Sequence, residues 1–218
     1  MPASPFISLL KKDLLMEWRQ KHMLYGVLLY VGATVFVVYM MSGQPEGKVW
    51  NALFWITQLF VAVNSVAKSF LQEHHTRFRY YYTLVKPATF LMAKMVYSIL
   101  LMFIMSMVSL LLFSIMLGWP LSQTGLFILI TFTGSLSLSA VFTFLSAIAA
   151  RAQQNSALMA ILGFPLATPL LMILGKLAIT ALQPVYMPGW GNLAIVLLAL
   201  DVLIIFLGII LFPFLWQE

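Results

Sequence analysis

The chain has 218 residues, of which 62% are hydrophobic and 8% are charged, and it contains no cysteine. A soluble domain is about half apolar and about a quarter charged, so this composition indicates a membrane protein. The lack of cysteine excludes disulfides and thiolate-held metals, and the net charge of +6 is better explained by membrane topology than by binding to nucleic acid.

The first predicted element is an amphipathic helix at residues 5–21. One face carries the apolar residues Phe6, Ile7, Leu10, Leu14 and Trp18, and the other carries Ser8, Lys11, Lys12 and Arg19. Such a pattern is typical of a helix that lies along a membrane interface. We therefore expect an interfacial helix ahead of the first membrane span.

Six apolar runs follow, each close to the length of about 20 residues that a spanning helix needs. Their approximate bounds are 22–41, 50–70, 91–117, 125–149, 156–176 and 192–216. Residues 177–191 are a Pro/Gly-rich connection that is either re-entrant or interfacial. The sequence thus predicts one all-α transmembrane domain over residues 1–218, with six spans.

The distribution of Lys and Arg predicts the orientation of these spans. If there are six spans, ten of the basic residues lie on one side and two, Lys48 and Lys176, on the other. Because basic residues are enriched in cytoplasmic loops, both termini are predicted to be cytoplasmic. Trp50, Trp119 and Trp190 then fall near the outer surface.

The largest predicted cytoplasmic loop is residues 69–87. It combines charged residues with aromatic ones, which suits either a protein-binding surface or a membrane-interface belt. Adjacent helical residues point about 100° apart, so we interpret His74 and His75 as solvated loop residues and predict no metal site. The residues of interest are Glu73, His74, His75, Arg77, Phe78, Arg79, Tyr80, Tyr81, Tyr82 and Lys86.

Three features stand out within the spans. The fourth span has a stripe of small residues, which favours close helix packing and leaves a polar pathway as the alternative. Two prolines should bend or break the fifth span, and a carboxylate inside the sixth is a functional candidate, either protonated or paired with Lys176. The stripe consists of Thr131, Ser135, Ser139, Thr143 and Ala147. The prolines are Pro165 and Pro169, and the carboxylate is Asp201.

The sequence contains no phosphate-binding Gly-rich loop, no His-Glu-x-x-His and no Gly-x-Ser-x-Gly. No catalytic residue is predicted, and the chain is not expected to be an enzyme.

Three stretches resemble the ABC-2-type exporter permeases, and most closely the CcmB family of the haem exporter in cytochrome c maturation. They are LLKKDLLMEWR (9–19), NSVAKSFLQE (64–73) continuing into LVKPATFLMAKMVY (84–97), and LMAILGFPLATPLLMIL (158–174). The last is the most specific, because Pro165 and Pro169 stand at the position of that family's proline pair.

The resemblance implies an ABC-2-type fold in the bacterial inner membrane, pairing with a second copy, and partners similar to the ATPase CcmA and the haem-handling protein CcmC. It implies that Glu73–Lys86 couples this permease to the ATPase. Haem then enters as a transported or handled substrate rather than a bound cofactor, and ATP only through the partner. The alternatives are a scaffold without a translocation path, and an ABC-2 permease for lipid or drug.

Overall fold

The computed structural model describes residues 5–19, 21–66, 87–151, 156–185 and 188–217. Every regular element within these ranges is an α-helix, which confirms the all-α prediction. The helices are α1 (Pro5–Arg19), α2 (Lys21–Ser42), α3 (Gly47–Ser65), α4 (Pro87–Leu117), α5 (Thr124–Arg151), α6 (Ser156–Leu182) and α7 (Trp190–Gln217).

Four of these helices are long and apolar enough to cross a membrane. The qualifying segments are Pro87–Leu117, Thr124–Ala149, Ile161–Leu182 and Trp190–Phe212, and α2 contains the shorter apolar segment Tyr25–Met41. Helix α3 is less apolar because it carries Asn51, Thr57 and Gln58, all of which are buried inside the bundle. The chain is therefore an integral membrane protein whose polar residues face inward.

Some helix boundaries differ from those predicted. Helix α4 begins at Pro87, because proline needs no backbone donor at the first helical position. Helix α6 continues to Leu182, so the predicted connection at 177–191 begins as helix. The reason is packing, since Leu177 and Ala181 of this extension are buried.

An aromatic cluster lies in the core where α3, α4 and α5 meet. The Trp50 ring stacks on Phe54 with centroids 5.7 Å apart and meets the edges of Phe113 and Phe127 at 5.5 and 5.6 Å. Trp50 is completely buried, so its side chain faces protein and not lipid, and its position near the outer membrane surface stays a prediction. Packing against three other rings buries more apolar area than an interfacial position would.

One glycine of α5 makes room for the Trp55 ring of α3. A methyl group at Gly134 would lie 2.6 Å from two ring atoms of Trp55 and 3.2 Å from Leu174. Real side-chain atoms do not come this close, so the indole can lie directly against α5 only because position 134 has no side chain.

Three connections meet at one end of the bundle, which we call the hairpin end: residues 43–46, 118–123 and 183–185. The backbone N–H groups of Ser122 and Gln123 donate to the Ala181 carbonyl at 3.0 and 2.9 Å. The Ser122 hydroxyl also donates to the carbonyl of Leu182 at 2.9 Å. These bonds tie the start of α5 to the end of α6.

Helix α1 packs against α4 at the opposite end of the bundle. The face it buries carries Leu9 and Asp13, whereas Ile7, Leu14 and Leu15 are exposed. The amphipathic pattern predicted Ile7 and Leu14 on the apolar face, and the structure leaves them available to lipid. Leu9 lies in a small core with Phe90 and Leu91 of α4, and Phe6 of the predicted apolar face packs against the same core.

Candidate functional site

An apolar groove of about 720 Å³ lies between α3 and α6. Its volume lies within the range of small-molecule sites, which is about 300–1,000 Å³. The groove opens towards the lipid-facing surface, since Ile56, Phe60, Phe164 and Met172 on its rim are 45–67% exposed. Its floor is buried and includes Asn51, Trp55, Phe142 and Gly163.

The groove extends over most of the length of α3. Lys48 lines one end and Val63 the other, and at about 1.5 Å per residue they are separated by about 22 Å along the helix axis. The hydrocarbon core of a bilayer is about 30 Å thick. An apolar molecule in this groove would therefore contact the protein through much of the thickness of the membrane.

The two walls of the groove are joined by a hydrogen bond. Asn51 Nδ2 of α3 donates to the carbonyl oxygen of Gly175 in α6 at 2.8 Å. Within the described residues, the Asn51 side-chain oxygen has no hydrogen-bond partner. The floor is tight as well, because a methyl group on Gly163 would lie 3.0 Å from the Phe142 ring.

The proline segment of α6 forms part of the groove wall. Gly163, Phe164 and Thr168 line the groove, and the two latter residues directly precede Pro165 and Pro169. The sequence predicted that these prolines bend or break the helix. The helix is continuous through both, so it is not broken. Each proline still removes one intrahelical donor, which leaves this wall with fewer backbone hydrogen bonds. Thr168 Oγ1 donates to the Phe164 carbonyl at 2.6 Å.

The predicted stripe of small residues lies inside the bundle. Thr131, Ser135, Ser139, Thr143 and Ala147 are all buried within the chain. Several of these hydroxyls donate to the carbonyl one turn earlier, as Thr131 does to Phe127.

One member of the stripe also belongs to a polar layer that the sequence did not predict. The Ser106 hydroxyl of α4 donates to Gln58 Oε1 of α3 at 2.8 Å and lies 3.2 Å from the Ser135 hydroxyl of α5. All three residues are buried, so this layer joins three helices in the interior. It does not line the groove.

Asp201 is buried near the middle of α7, away from the groove lining. The Ser137 hydroxyl of α5 donates to its Oδ2 at 2.9 Å, and Oδ1 has no partner among the described residues. Lys176, the pairing partner considered from sequence, is exposed and lines the groove instead. Asp201 therefore joins α7 to α5, and Lys176 belongs to the groove.

A buried ion pair that sequence reasoning missed fixes α1 to α4. Lys94 Nζ lies 3.2 Å from Asp13 Oδ1, and both side chains are 4% exposed. Lys12 Nζ is also 3.2 Å from that oxygen, but its side chain is 26% exposed. The signal in the sequence was a lone lysine within the apolar run LMAKMVYS. A charge in such a place needs a partner.

The predicted coupling residues, from Glu73 to Lys86, lie outside the described residues. The segment that holds them joins the end of α3 to the start of α4. Lys94 lies within the first turns of α4, so the Asp13–Lys94 pair is close in sequence to this segment.

These features define an all-helical integral membrane protein with a membrane-facing groove and no regular element other than helix in the residues described. The model of the CcmB protein family matches residues 4–214, nearly the whole chain. The chain therefore belongs to the CcmB family, whose members are membrane permease subunits of the ABC-type haem exporter in cytochrome c biogenesis. Comparison with curated proteins and with solved structures gives no match.

Proposed function

We propose that this chain is a permease of ABC-2-type fold that moves haem along the groove between α3 and α6. The observation that carries the proposal is that the proline segment of α6 lines an open groove rather than a packed core. A scaffold without a path would have this segment tightly packed. Asp201, the other candidate for such a path, is buried against Ser137 and does not line the groove.

In this proposal helices α2 to α7 cross the inner membrane six times, and both termini are cytoplasmic. The support is the ten basic residues predicted on one side against two on the other. The two are Lys48 and Lys176, which line the groove at the hairpin end. The hairpin end then faces the periplasm. The chain is expected to pair with a second copy of itself.

ATP hydrolysis takes place in a CcmA-like partner that contacts residues 73–86. Movement of this segment would reach α4 directly, and through the Asp13–Lys94 pair it would reach α1 as well. A CcmC-like protein receives or presents the haem. We expect Arg77→Glu with Arg79→Glu to reduce the amount of ATPase that copurifies with the chain, because charge reversal removes attraction to an acidic surface. Unchanged copurification would contradict the assignment of this segment.

The path is tested by filling the groove without disturbing the core. Ala52 is exposed and lines the groove, so Ala52→Trp places an indole in the path. Ala199 of α7 is also exposed and lies outside the groove, which makes Ala199→Trp a matched control. Each variant is expressed in a bacterium that lacks its own copy, and c-type cytochromes are measured by haem staining.

We expect Ala52→Trp to lower the cytochrome signal at least tenfold and Ala199→Trp to leave it unchanged. Both variants should reach the wild-type amount in the membrane and bring down the same amount of ATPase. Wild-type cytochrome levels in the Ala52→Trp strain would exclude the groove as a path and would favour the scaffold.

A further inference from the structure

Two lysines lie together at the hairpin end of the groove. Lys176 directly follows Gly175, whose carbonyl is bonded to Asn51. Lys48 stands three positions before Asn51, or about 4.5 Å along the axis of α3. Both lysines are exposed and both line the groove. The bond between Asn51 and Gly175 thus brings the two lysines to the same end of the groove.

Among the residues described, no acidic residue lines the groove. Glu46 precedes α3 at the hairpin end but does not line the groove. The remaining lining near the lysines is apolar apart from Asn51, Thr168 and the glycine backbone. The groove therefore combines a long apolar body with a cationic mouth.

This combination is complementary to an amphiphile with an apolar body and two anionic groups on one edge. A tetrapyrrole such as haem has this form, because its two propionates project from the same edge of a flat, apolar ring. Trp55, Phe60 and Phe164 offer ring surfaces for the flat faces. Long lysine side chains reach carboxylates at the membrane surface while their stems stay in apolar surroundings.

The groove is less suited to binding the iron. Met172 supplies the one sulfur atom among the described lining residues, and these include no histidine. A thioether is a weak ligand compared with the imidazole or thiolate that commonly holds haem iron. Met172 is also 59% exposed on the rim rather than placed over the floor.

We propose that the groove recognises the porphyrin dicarboxylate and not its iron, with Lys48 and Lys176 as the residues that bind the two propionates. This inference rests on the proposed haem path and adds which part of the haem molecule the groove recognises. It predicts that an iron-free porphyrin binds as well as haem does, provided that its carboxylates are free.

The test uses the full chain in nanodiscs of phosphatidylcholine, with binding followed by quenching of tryptophan fluorescence. The probes are haem, protoporphyrin IX and protoporphyrin IX dimethyl ester, which lacks free carboxylates. We expect protoporphyrin IX to bind within about threefold of haem and the ester about tenfold more weakly. A tenfold change in Kd corresponds to about 1.4 kcal/mol.

Substitution of the lysines should reproduce the effect of esterification. Lys48→Gln with Lys176→Gln is expected to weaken haem binding about tenfold and to leave the ester unaffected, whereas Lys48→Arg with Lys176→Arg retains binding. Lys11→Gln removes an exposed lysine from α1 and is the matched control for charge. Met172→Leu should bind haem as the wild type does.

Three results would overturn the proposal. The first is wild-type haem affinity in the Lys48→Gln, Lys176→Gln variant. The second is protoporphyrin IX binding more than tenfold weaker than haem, which would show that iron is recognised. The third is a change in bound phosphatidylglycerol in mixed nanodiscs without any change in porphyrin affinity, because the lysines would then hold a lipid headgroup.

The two proposals fail in distinguishable ways. If Ala52→Trp abolishes cytochrome maturation but the lysine variants bind haem normally, the path stands and this inference falls. If porphyrins bind through the lysines but Ala52→Trp supports normal cytochromes, the groove is a binding site and not the path. If the double variant does not fold, the same question is answered by haem binding to the single variants Lys48→Gln and Lys176→Gln. Binding of protoporphyrin IX dimethyl ester to the wild-type protein answers it as well.

Discussion

The ion pair between Asp13 and Lys94 gives the sharpest stability prediction. At a separation of 3.2 Å, the attraction between the two charges is about 5 kcal/mol for an effective dielectric constant of about 20. The cost of removing both charges from water offsets much of this attraction. The net value of the pair is therefore small, but the cost of breaking it from one side is large.

The two single substitutions should differ because only one of the lysines near Asp13 is buried. Asp13→Asn removes the negative charge beside Lys94, whose side chain is 4% exposed, and should destabilise the protein by about 3 kcal/mol. Lys94→Met leaves Asp13 facing Lys12, which is 26% exposed and remains partly hydrated. That change should cost about 1 kcal/mol.

The double variant Asp13→Asn, Lys94→Met should lie within about 1 kcal/mol of the wild type, because the two opposite buried charges are removed together. The free energy of unfolding is measured by SDS titration in dodecylmaltoside micelles, with far-UV circular dichroism as the signal. Lys11→Met, at an exposed position of α1, controls for loss of a positive charge. Equal and additive losses in the two single variants would refute the reasoning, since additivity means that the groups do not interact.

Two further predictions concern helix packing. Gly134→Ala should lower stability by about 1–3 kcal/mol in the same assay, because the new methyl group would overlap the Trp55 ring, whereas Gly32→Ala has nothing within 4 Å and should be neutral or stabilising. A neutral Gly134→Ala would show that the Trp55 ring is not held this close to α5. Ser137→Ala should cost about 1–3 kcal/mol because it takes the donor from the buried Asp201 carboxyl, and combining it with Asp201→Leu should recover part of the loss. Absence of any recovery would mean that the two side chains do not act as a pair.

The sequence by itself determined the class of the protein and most of its helices. Apolar runs of about 20 residues have few options in lipid, because an unpaired backbone is costly there and a helix satisfies its own hydrogen bonds. The predicted runs therefore coincide with helices to within a few residues at most ends. The family was also accessible from sequence, through the stretch around Pro165 and Pro169.

Tertiary packing decided which polar residues meet and which face the groove. The sequence suggested Lys176 for Asp201, but Ser137, on a helix distant in sequence, is the residue that bonds it. Asp13 and Lys94 are 81 positions apart, and no local pattern encodes their contact. The groove likewise exists only because α3 and α6 meet at the level of Asn51. Hydropathy and periodicity report how each helix faces lipid or protein, whereas the pairing of side chains depends on how all the helices fill space together.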